Sequence, residues 1–313
     1  MNQIFGKNSI LMNILVTGSN GFLGKTIVEI LKKEHKITTL ARSSGDYQLS
    51  LDKQVPNFEE KFNLIIHSAG KAHSIPKTEI EKKQFYQVNV IGTQNLLKGL
   101  EKSTLPQQFV FISSVAVYGK EKGTNITEES PLNAKDPYGM SKIEAEKFIF
   151  DWCQKNNVIC TILRLPLLVG PNPPGNLGAM VKAINKGYYF NIGGGFAKKS
   201  MVLTEDVAKI IPFACQLGGV FNLTDGNHPN FSELSNFLAI NQKKNKPLNM
   251  PLFMAKGIGF IGDLIGDKFP INTNKVNKIT ADLIFDDSKA REVLGWEPKE
   301  VLKFIETNEI LNL

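Results

Sequence analysis

Cysteine is scarce in this chain, and long apolar runs are missing. Only Cys153, Cys160 and Cys215 occur among 313 residues, and none stands at CxxC or other metal-ligand spacing. That excludes a disulfide framework or a cysteine metal site and fits small buried thiols in a reducing cytoplasm. No stretch of about 18 uncharged apolar residues exists, so no segment is expected to span a membrane. The first residues lack a basic region followed by an apolar run, so no signal peptide is read there. Lys/Arg blocks, internal repeats and low-complexity tracts are missing too. There are 37 basic and 30 acidic residues, a formal net charge of +7. That modest excess suits an anionic substrate or cofactor and argues against nucleic acid. The last absence is local. The stretch ITTLARSSG (37–45) reads as a strand entering its loop, and it offers Arg42, Ser43 and Ser44 where a carboxylate is usual.

What is present is globular: 42% hydrophobic and 21% charged residues. Short apolar runs at 13–18, 36–40, 63–70, 108–114 and 160–165 alternate with helix-period segments near 22–33, 79–101 and 139–156. Continuous apolar strands alternating with helices predict a parallel sheet covered on both faces, the doubly wound Rossmann-type α/β architecture. After 165, four prolines and two glycines within 166–175 mark a break. Residues 12–170 plus about 201–225 are assigned to the nucleotide-binding domain. About 171–200, with a helix at 177–186 and a short strand in YYFNIGGG, plus 226–313, read as helix and loop, are assigned to a smaller, discontinuous C-terminal domain, with the ligand expected in the crevice between the two. Met12 directly precedes the first strand, so residues 1–11 are expected to be a disordered extension. The apolar stretch 251–266 is read as a helix of the second domain, with a membrane-surface helix as the alternative.

Three features carry chemistry. TGSNGFLG places Gly18, Gly21 and Gly24 between a strand and a helix. Such glycines let the backbone approach a pyrophosphate, which the helix N-terminus then holds with free N–H groups and its positive dipole end. DPYGMSK sets Tyr138 and Lys142 one helical turn apart on one face. A free tyrosine has a pKa of about 10. A neighbouring ammonium favours its phenolate, so it can exchange a proton with a substrate hydroxyl or carbonyl. Ser114, at a strand end in FISSVAVYG, can hydrogen-bond the same oxygen. Among the histidines, His67 in an apolar strand reads as a core residue. His73 lies in the loop expected to face substrate, where a sugar contact competes with a plain loop role. No metal site is read.

With VTGSNGFLG, IIHSAG, NVIGTQNLL, FISSVAVYG, PYGMSK, LRLPLLVGP, EDVAKII, FNLTDG and FDDSKAREVLGW in this order, the chain resembles the extended short-chain dehydrogenase/reductases, in their nucleotide-sugar epimerase/dehydratase group. The likeness covers about residues 12–298. It implies hydride transfer at a sugar carbon, usually C4, of a nucleotide sugar held by the second domain. It also implies pairing as a homodimer. By position, it makes Tyr138 the acid/base, Lys142 its partner and Ser114 the catalytic hydroxyl. Gly18, Gly21, Phe22, Leu23 and Gly24 match the pyrophosphate loop, and Asp52 the acid near the adenine. Ala69 and Gly70 match the strand end under the cofactor, Asn89 the NVxGT asparagine, and Pro166 and Leu167 the segment near the nicotinamide amide. Asn176 and Lys199 match substrate-diphosphate contacts.

The departures are informative. Val169 replaces the tyrosine of YGP, and Lys199-Ser200-Met201 replaces RDY, so Lys199 keeps a charge without a bidentate fork. Val115 and Ala116 stand where 4,6-dehydratases carry an Asp-Glu pair, which disfavours dehydration. At the end of the second strand, Arg42 can neutralise a 2′-phosphate and Ser43 can donate to it, whereas an acid would repel it. NADP(H) is therefore the favoured cofactor and NAD(H) the alternative. The favoured function is NADPH-dependent reduction of a 4-keto, UDP-linked (N-acetyl)hexosulose for surface polysaccharide. The alternative is a nucleotide-sugar 4-epimerase with bound NAD. A non-catalytic cofactor sensor is the minor alternative, because such proteins typically lose the Tyr or Lys retained here.

Overall fold

A computed structural model describes residues 11–72, 76, 78–266, 272–307 and 310. His73 and residues 1–10 lie outside the described residues, and with them the expectations placed there. The chain divides into two compact units, one of residues up to Val117, Ala134–Arg164 and Thr204–Phe221, the other of Tyr118–Asn133, Leu165–Leu203 and the residues from Asn222 onward.

The first unit is a doubly wound α/β fold. Its strands are β1 (Asn13–Thr17), β2 (Lys36–Ala41), β3 (Tyr47–Gln48), β4 (Leu64–His67), β5 (Gln108–Ser114), β7 (Ile159–Leu165) and β11 (Gly219–Asn222), with β6 (Gly123–Ile126) elsewhere. They form a seven-stranded sheet in the order β3-β2-β1-β4-β5-β7-β11. β1 pairs in parallel with β2 on one side and with β4 on the other, in the register Val16↔Thr39 and Val16↔Ile66. The chain thus reverses its direction of travel across the sheet between β1 and β4, and such switch points open a ligand crevice at the strands' carboxyl ends. Ile14, Leu15, Val16, Leu64, Ile65 and Ile66 are fully buried, because both faces of a parallel sheet are covered by helices.

Helix α1 (Phe22–Leu31) follows the glycine loop. The segment predicted as one helix over 79–101 is instead α2 (Glu79–Tyr86), a π-helical turn (Gln87–Ile91) and α3 (Gly92–Glu101). The widened turn carries Asn89, and π-turns frequently occur at functional sites. Helix α4 (Pro137–Lys155) starts sharply: Asp136 caps it by accepting from the N–H groups of Tyr138 and Gly139 at 3.1 and 3.0 Å, and Pro137 sits in its first turn. Tyr138 is thereby held in that first turn. Gly139 is obligatory for packing, since a Cβ there would stand 2.4 Å from Ala134 Cβ and 2.8 Å from Ala116 O. Helix α6 (Thr204–Leu217) packs on α1.

The second unit gathers α5 (Gly175–Asn185), α7 (Phe231–Asn241) and α11 (Val301–Thr307) around the parallel pair β8 (Leu167–Val169) and β10 (Met201–Leu203). Val169, Val181, Met201, Leu234, Leu238 and Val301 are the centre of its core. The rest of the C-terminal chain, expected as helix and loop, also contributes strands. β12 (Leu248–Met250) pairs with β9 (Phe190–Ile192), and β13 (Leu283–Phe285) with β6. Those strands of three or four residues are too short for a period-2 signal and form only because distant segments supply their partners. The β6–β13 pairing also draws residues 118–133 into this unit. Helices α8 (Leu252–Ile265), α9 (Thr273–Thr280) and α10 (Ser288–Leu294) complete it.

Candidate active site

The glycine loop is a cradle that side chains would fill. Gly18 has φ +68°, and a Cβ on it would lie 2.6 Å from Ala69 N. A Cβ on Gly24 would lie 2.2 Å from Gly18 O, so α1 starts pressed against the loop that precedes it. No side chain caps the N-terminus of α1, which begins with Phe22 and Leu23. Beside it, the Ser19 hydroxyl is buried without a hydrogen-bond partner. A buried orphan donor, uncapped helix N–H groups and glycines in close approach are together the complement of a pyrophosphate.

Ser114 and Tyr138 meet. The Ser114 side chain, set toward the phenol, opposes the burial that raises the tyrosine's pKa above its usual value. Lys142, one turn further along α4, is 5% exposed. Its Nζ donates to Ile112 O at 2.8 Å and lies 4.5 Å from the centre of the Phe111 ring. Burial pulls its pKa down to about 8, and the Glu146 carboxylate opposes that shift. Gly70 leaves the ammonium room, because a Cβ there would lie 3.4 Å from Nζ. The structure thus brings together the serine, tyrosine and lysine that the sequence spaces over 29 positions, from 114 to 142.

Behind this trio lies a buried ion pair that sequence reasoning missed. Glu146 continues the stripe of Tyr138 and Lys142 at i+8, and Arg164 of β7 grips it through Nε (3.1 Å) and Nη2 (2.8 Å). Ser113, next to Ser114, donates to the same carboxylate at 2.5 Å. Both charged side chains are 6% exposed. The YxxxKxxxE spacing was the available signal. The arginine, on a strand 18 residues away in sequence, had none.

His67 anchors a directed chain of hydrogen bonds. Ala69 N–H donates to Thr17 Oγ1 (3.2 Å), which lies 2.6 Å from His67 Nδ1. His67 Nε2 lies 2.9 Å from Thr93 Oγ1, whose hydroxyl donates to Asn89 O at 2.6 Å. Since Thr93 has given its proton away, the imidazole donates from Nε2; burial keeps the ring neutral, so Nδ1 accepts from the Thr17 hydroxyl. Burial, helped by the Lys142 charge, pushes its pKa down to about 3. The folded protein therefore refuses a proton that the unfolded chain accepts below its ordinary pKa of 6.5. Stability is retained above 6.5 and lost as pH falls toward 3, by about 2 kcal/mol between pH 7 and 5. Urea titrations at both pH values should show this loss in the wild type and a shallower one in His67→Gln. Equal slopes would remove His67 from the account.

The Asn89 side chain is wholly spent on its surroundings. It accepts from Lys71 N (2.6 Å) and donates to Lys71 O (3.1 Å) and to Ser141 Oγ (2.8 Å). It ties the loop carrying Ala69 and Gly70 to α4 rather than standing free for a ligand. Asp52 accepts from the Ser50 hydroxyl, and Gln87 and Asn95 hold its loop by donating to Asp52 O and Leu51 O, both at 2.7 Å. At the end of β2, Arg42, Ser43 and Ser44 are exposed. The nearest carboxylate in sequence beyond them, Asp46, is turned back onto Thr39, accepting from its N–H (2.8 Å) and hydroxyl (2.7 Å). Asn20 of the glycine loop donates to Ser44 Oγ at 2.8 Å. A cleft of about 320 Å³ opens there, lined by Ser19, Asn20, Lys25, Lys32, Ser44 and Gly45.

In the second unit, Pro166 joins β7 to β8, and Leu167 lies opposite Met201. Asn176 is exposed in the first turn of α5, whose N-terminus has no side-chain cap. Lys199 is engaged: its Nζ donates to Lys278 O (2.9 Å) and Ala281 O (2.7 Å) at the end of α9. Among the described residues, no group of three or more His, Cys, Asp or Glu side chains could hold a metal ion.

The family model "NAD dependent epimerase/dehydratase family" matches residues 14–223. The chain belongs to that family. It is an enzyme of the extended short-chain dehydrogenase/reductase type, and the family acts on nucleotide sugars with NAD(P). It is 28% identical to a UDP-glucose 4-epimerase of Vibrio cholerae, over 95% of this chain and 94% of that one. It is also 28% identical to an N-acetyl-α-D-glucosaminyl-diphospho-ditrans,octacis-undecaprenol 4-epimerase of Escherichia coli O157:H7, over 88% of each. Its fold superposes on RMD from Pseudomonas aeruginosa, solved with NADPH, with a TM-score of 0.73, 20% identity and coverage of 94% and 97%. The two sequence relatives are 4-epimerases, so they support the alternative reading above better than the favoured reductase. For this epimerase/dehydratase family member, the cradle at Gly18, Ser19 and Gly24 fits the dinucleotide. When bound, the nicotinamide accepts or returns a hydride. Gly18, Ser19 and Gly24 would hold the dinucleotide's pyrophosphate.

Proposed function

We propose that this enzyme inverts C4 of a hexose or N-acetylhexosamine joined through a diphosphate to uridine or to a polyprenol, in the cytoplasm, as a step toward surface polysaccharide. One observation carries the reading: Tyr138 stands one helical turn from the buried Lys142 on α4, with Ser114 set toward the phenol, in a chain that aligns along nearly its full length with 4-epimerases. Tyr138 takes the proton of the C4 hydroxyl as the hydride leaves and returns it after the keto sugar has turned its other face. Ser114 steadies the oxygen through its hydroxyl, and Lys142 keeps a positive charge beside the site. His67 and Asn89 position the loop of Ala69 and Gly70 under the cofactor.

A second reading has its own support. Arg42, Ser43 and Ser44 leave the end of β2 without a free acid, which suits NADPH and net reduction of a 4-keto sugar. Releasing the nucleotide from purified protein and assaying UDP-glucose and UDP-N-acetylglucosamine separates the two. Retained NAD with C4 inversion and no net NADPH use supports the epimerase. An empty protein that consumes NADPH with a 4-keto sugar supports the reductase. Arg42→Asp should weaken NADPH binding about 10- to 100-fold and leave NADH within a few-fold. Equal effects on both would remove Arg42 as a selector.

A further inference from the structure

Helix α8 is inverted relative to an ordinary surface helix. Its protein-facing side is a stripe of small residues: Ala255, Gly259 and Gly262 are its buried positions. A Cβ on Gly259 would stand 3.1 Å from Thr273 N, so α8 lies backbone-close on the start of α9. The opposite side carries the large groups. Phe253, Phe260 and Leu264 recur at i, i+7 and i+11, exposed by 75%, 61% and 73%. Met254, Ile261 and Ile265 repeat the spacing one position on, all exposed. Lys256 and Asp263, seven apart, share one flank. A surface helix normally turns its apolar stripe to the core and its charges outward. Here the outward face is wholly apolar.

The apolar surface continues beyond the helix. Leu248 and Phe190 are opposite one another in the β12–β9 pair, and both are exposed. Leu252, at the start of α8, lies 3.6 Å from where a Cβ on Gly193 would stand, just after β9. The loop between α7 and β12 adds exposed Lys243, Lys244 and Lys246. Over 234–266 these and Lys256 are opposed by a single acid, Asp263, whose carboxylate accepts from Thr273 N.

We propose that this face seats the protein on the surface of an anionic lipid bilayer. The phenylalanine, leucine and isoleucine side chains of α8 enter the headgroup–acyl boundary, and the lysines meet the headgroups. The helix has 14 residues, too few to cross the hydrocarbon, so it lies in the interface. Charge selects the bilayer over a second copy of the chain. A two-fold pair would bring the same lysine-rich margin from each copy to the other, and protein interfaces are depleted in lysine. Anionic headgroups neutralise that margin. The inference stands independently of the sugar and cofactor proposed above.

The test is sedimentation of the full chain with vesicles of phosphatidylcholine alone and of equimolar phosphatidylcholine and phosphatidylglycerol. Binding to the anionic vesicles that weakens as salt is raised is expected. Phe253→Ser/Phe260→Ser/Leu264→Ser should cut partitioning by about 100-fold or more. Lys243→Gln, Lys244→Gln and Lys246→Gln should each cut it about five-fold. All six positions are exposed, so an unchanged melting temperature confirms that the variants fold. No preference of the wild type for anionic vesicles, or full partitioning by the serine variant, overturns the inference. A concentration-dependent dimer that the serine variant loses, without vesicle binding by the wild type, overturns it in favour of a second copy.

Discussion

Tyr138→Phe should lower turnover by a factor of about 10²–10⁴ while leaving cofactor affinity within a few-fold. The substitution removes one oxygen and keeps the ring, which packs 6.1 Å from the Phe85 ring. Asp136 caps α4 through the backbone of residues 138 and 139, so the helix start is unaffected. Lys142 keeps its bond to Ile112 O. What disappears is the proton carrier and the partner of Ser114. Turnover is read with the nucleotide sugar that the wild type accepts, and cofactor affinity by fluorescence titration. Near-normal turnover with intact cofactor binding would show that another group moves the proton. Loss of both together would show damage to the fold instead.

Arg164→Met should destabilise the protein by about 3–5 kcal/mol, the usual consequence of leaving one member of a buried ion pair alone. Glu146 would lose both guanidinium bonds and keep the Ser113 hydroxyl, within a site where the pair is 6% exposed on each side. The double variant Arg164→Met/Glu146→Leu removes both charges and should recover most of that loss, because replacing a buried pair by apolar groups is often close to neutral. Urea unfolding of the three proteins decides it. A single variant as stable as the wild type, or a double variant no better than the single, contradicts the assignment. The pair joins β7 to α4 behind Lys142, and Ser113 connects it to the strand end that presents Ser114. The double variant therefore also tests whether stability and turnover separate. With the carboxylate gone, the charge that opposes the desolvation of Lys142 is removed, and its pKa should fall below about 8.

Much of this was legible before any coordinates. The apolar runs at 13–18, 108–114 and 160–165 are strands, since a strand covered on both faces must be apolar throughout. The glycine loop and the Tyr138–Lys142 spacing were readable because they are local, set by one turn and one helical repeat. The misses share a cause. The helix over 79–101 was interrupted by a π-turn at Gln87–Ile91, a single-residue insertion too local to read from a short apolar pattern. The Glu146–Arg164 pair, the Thr17–His67–Thr93 chain and the strands β6, β12 and β13 each join residues far apart in sequence. Lys199 was placed by analogy as a phosphate contact, and the fold spends its ammonium on carbonyls of α9.

By itself, then, the sequence determined the α/β class, the glycine turn after β1 and the one-turn spacing of Tyr138 and Lys142, because strand burial, backbone freedom at glycine and helical repeat act within a few residues. Only the tertiary structure decided that Ser114 meets Tyr138, that His67 is neutral and its tautomer set, that Glu146 is paired, and that α8 turns its large apolar side outward. Those outcomes depend on which distant groups share a low-dielectric space and which faces find a partner, and no local pattern encodes that.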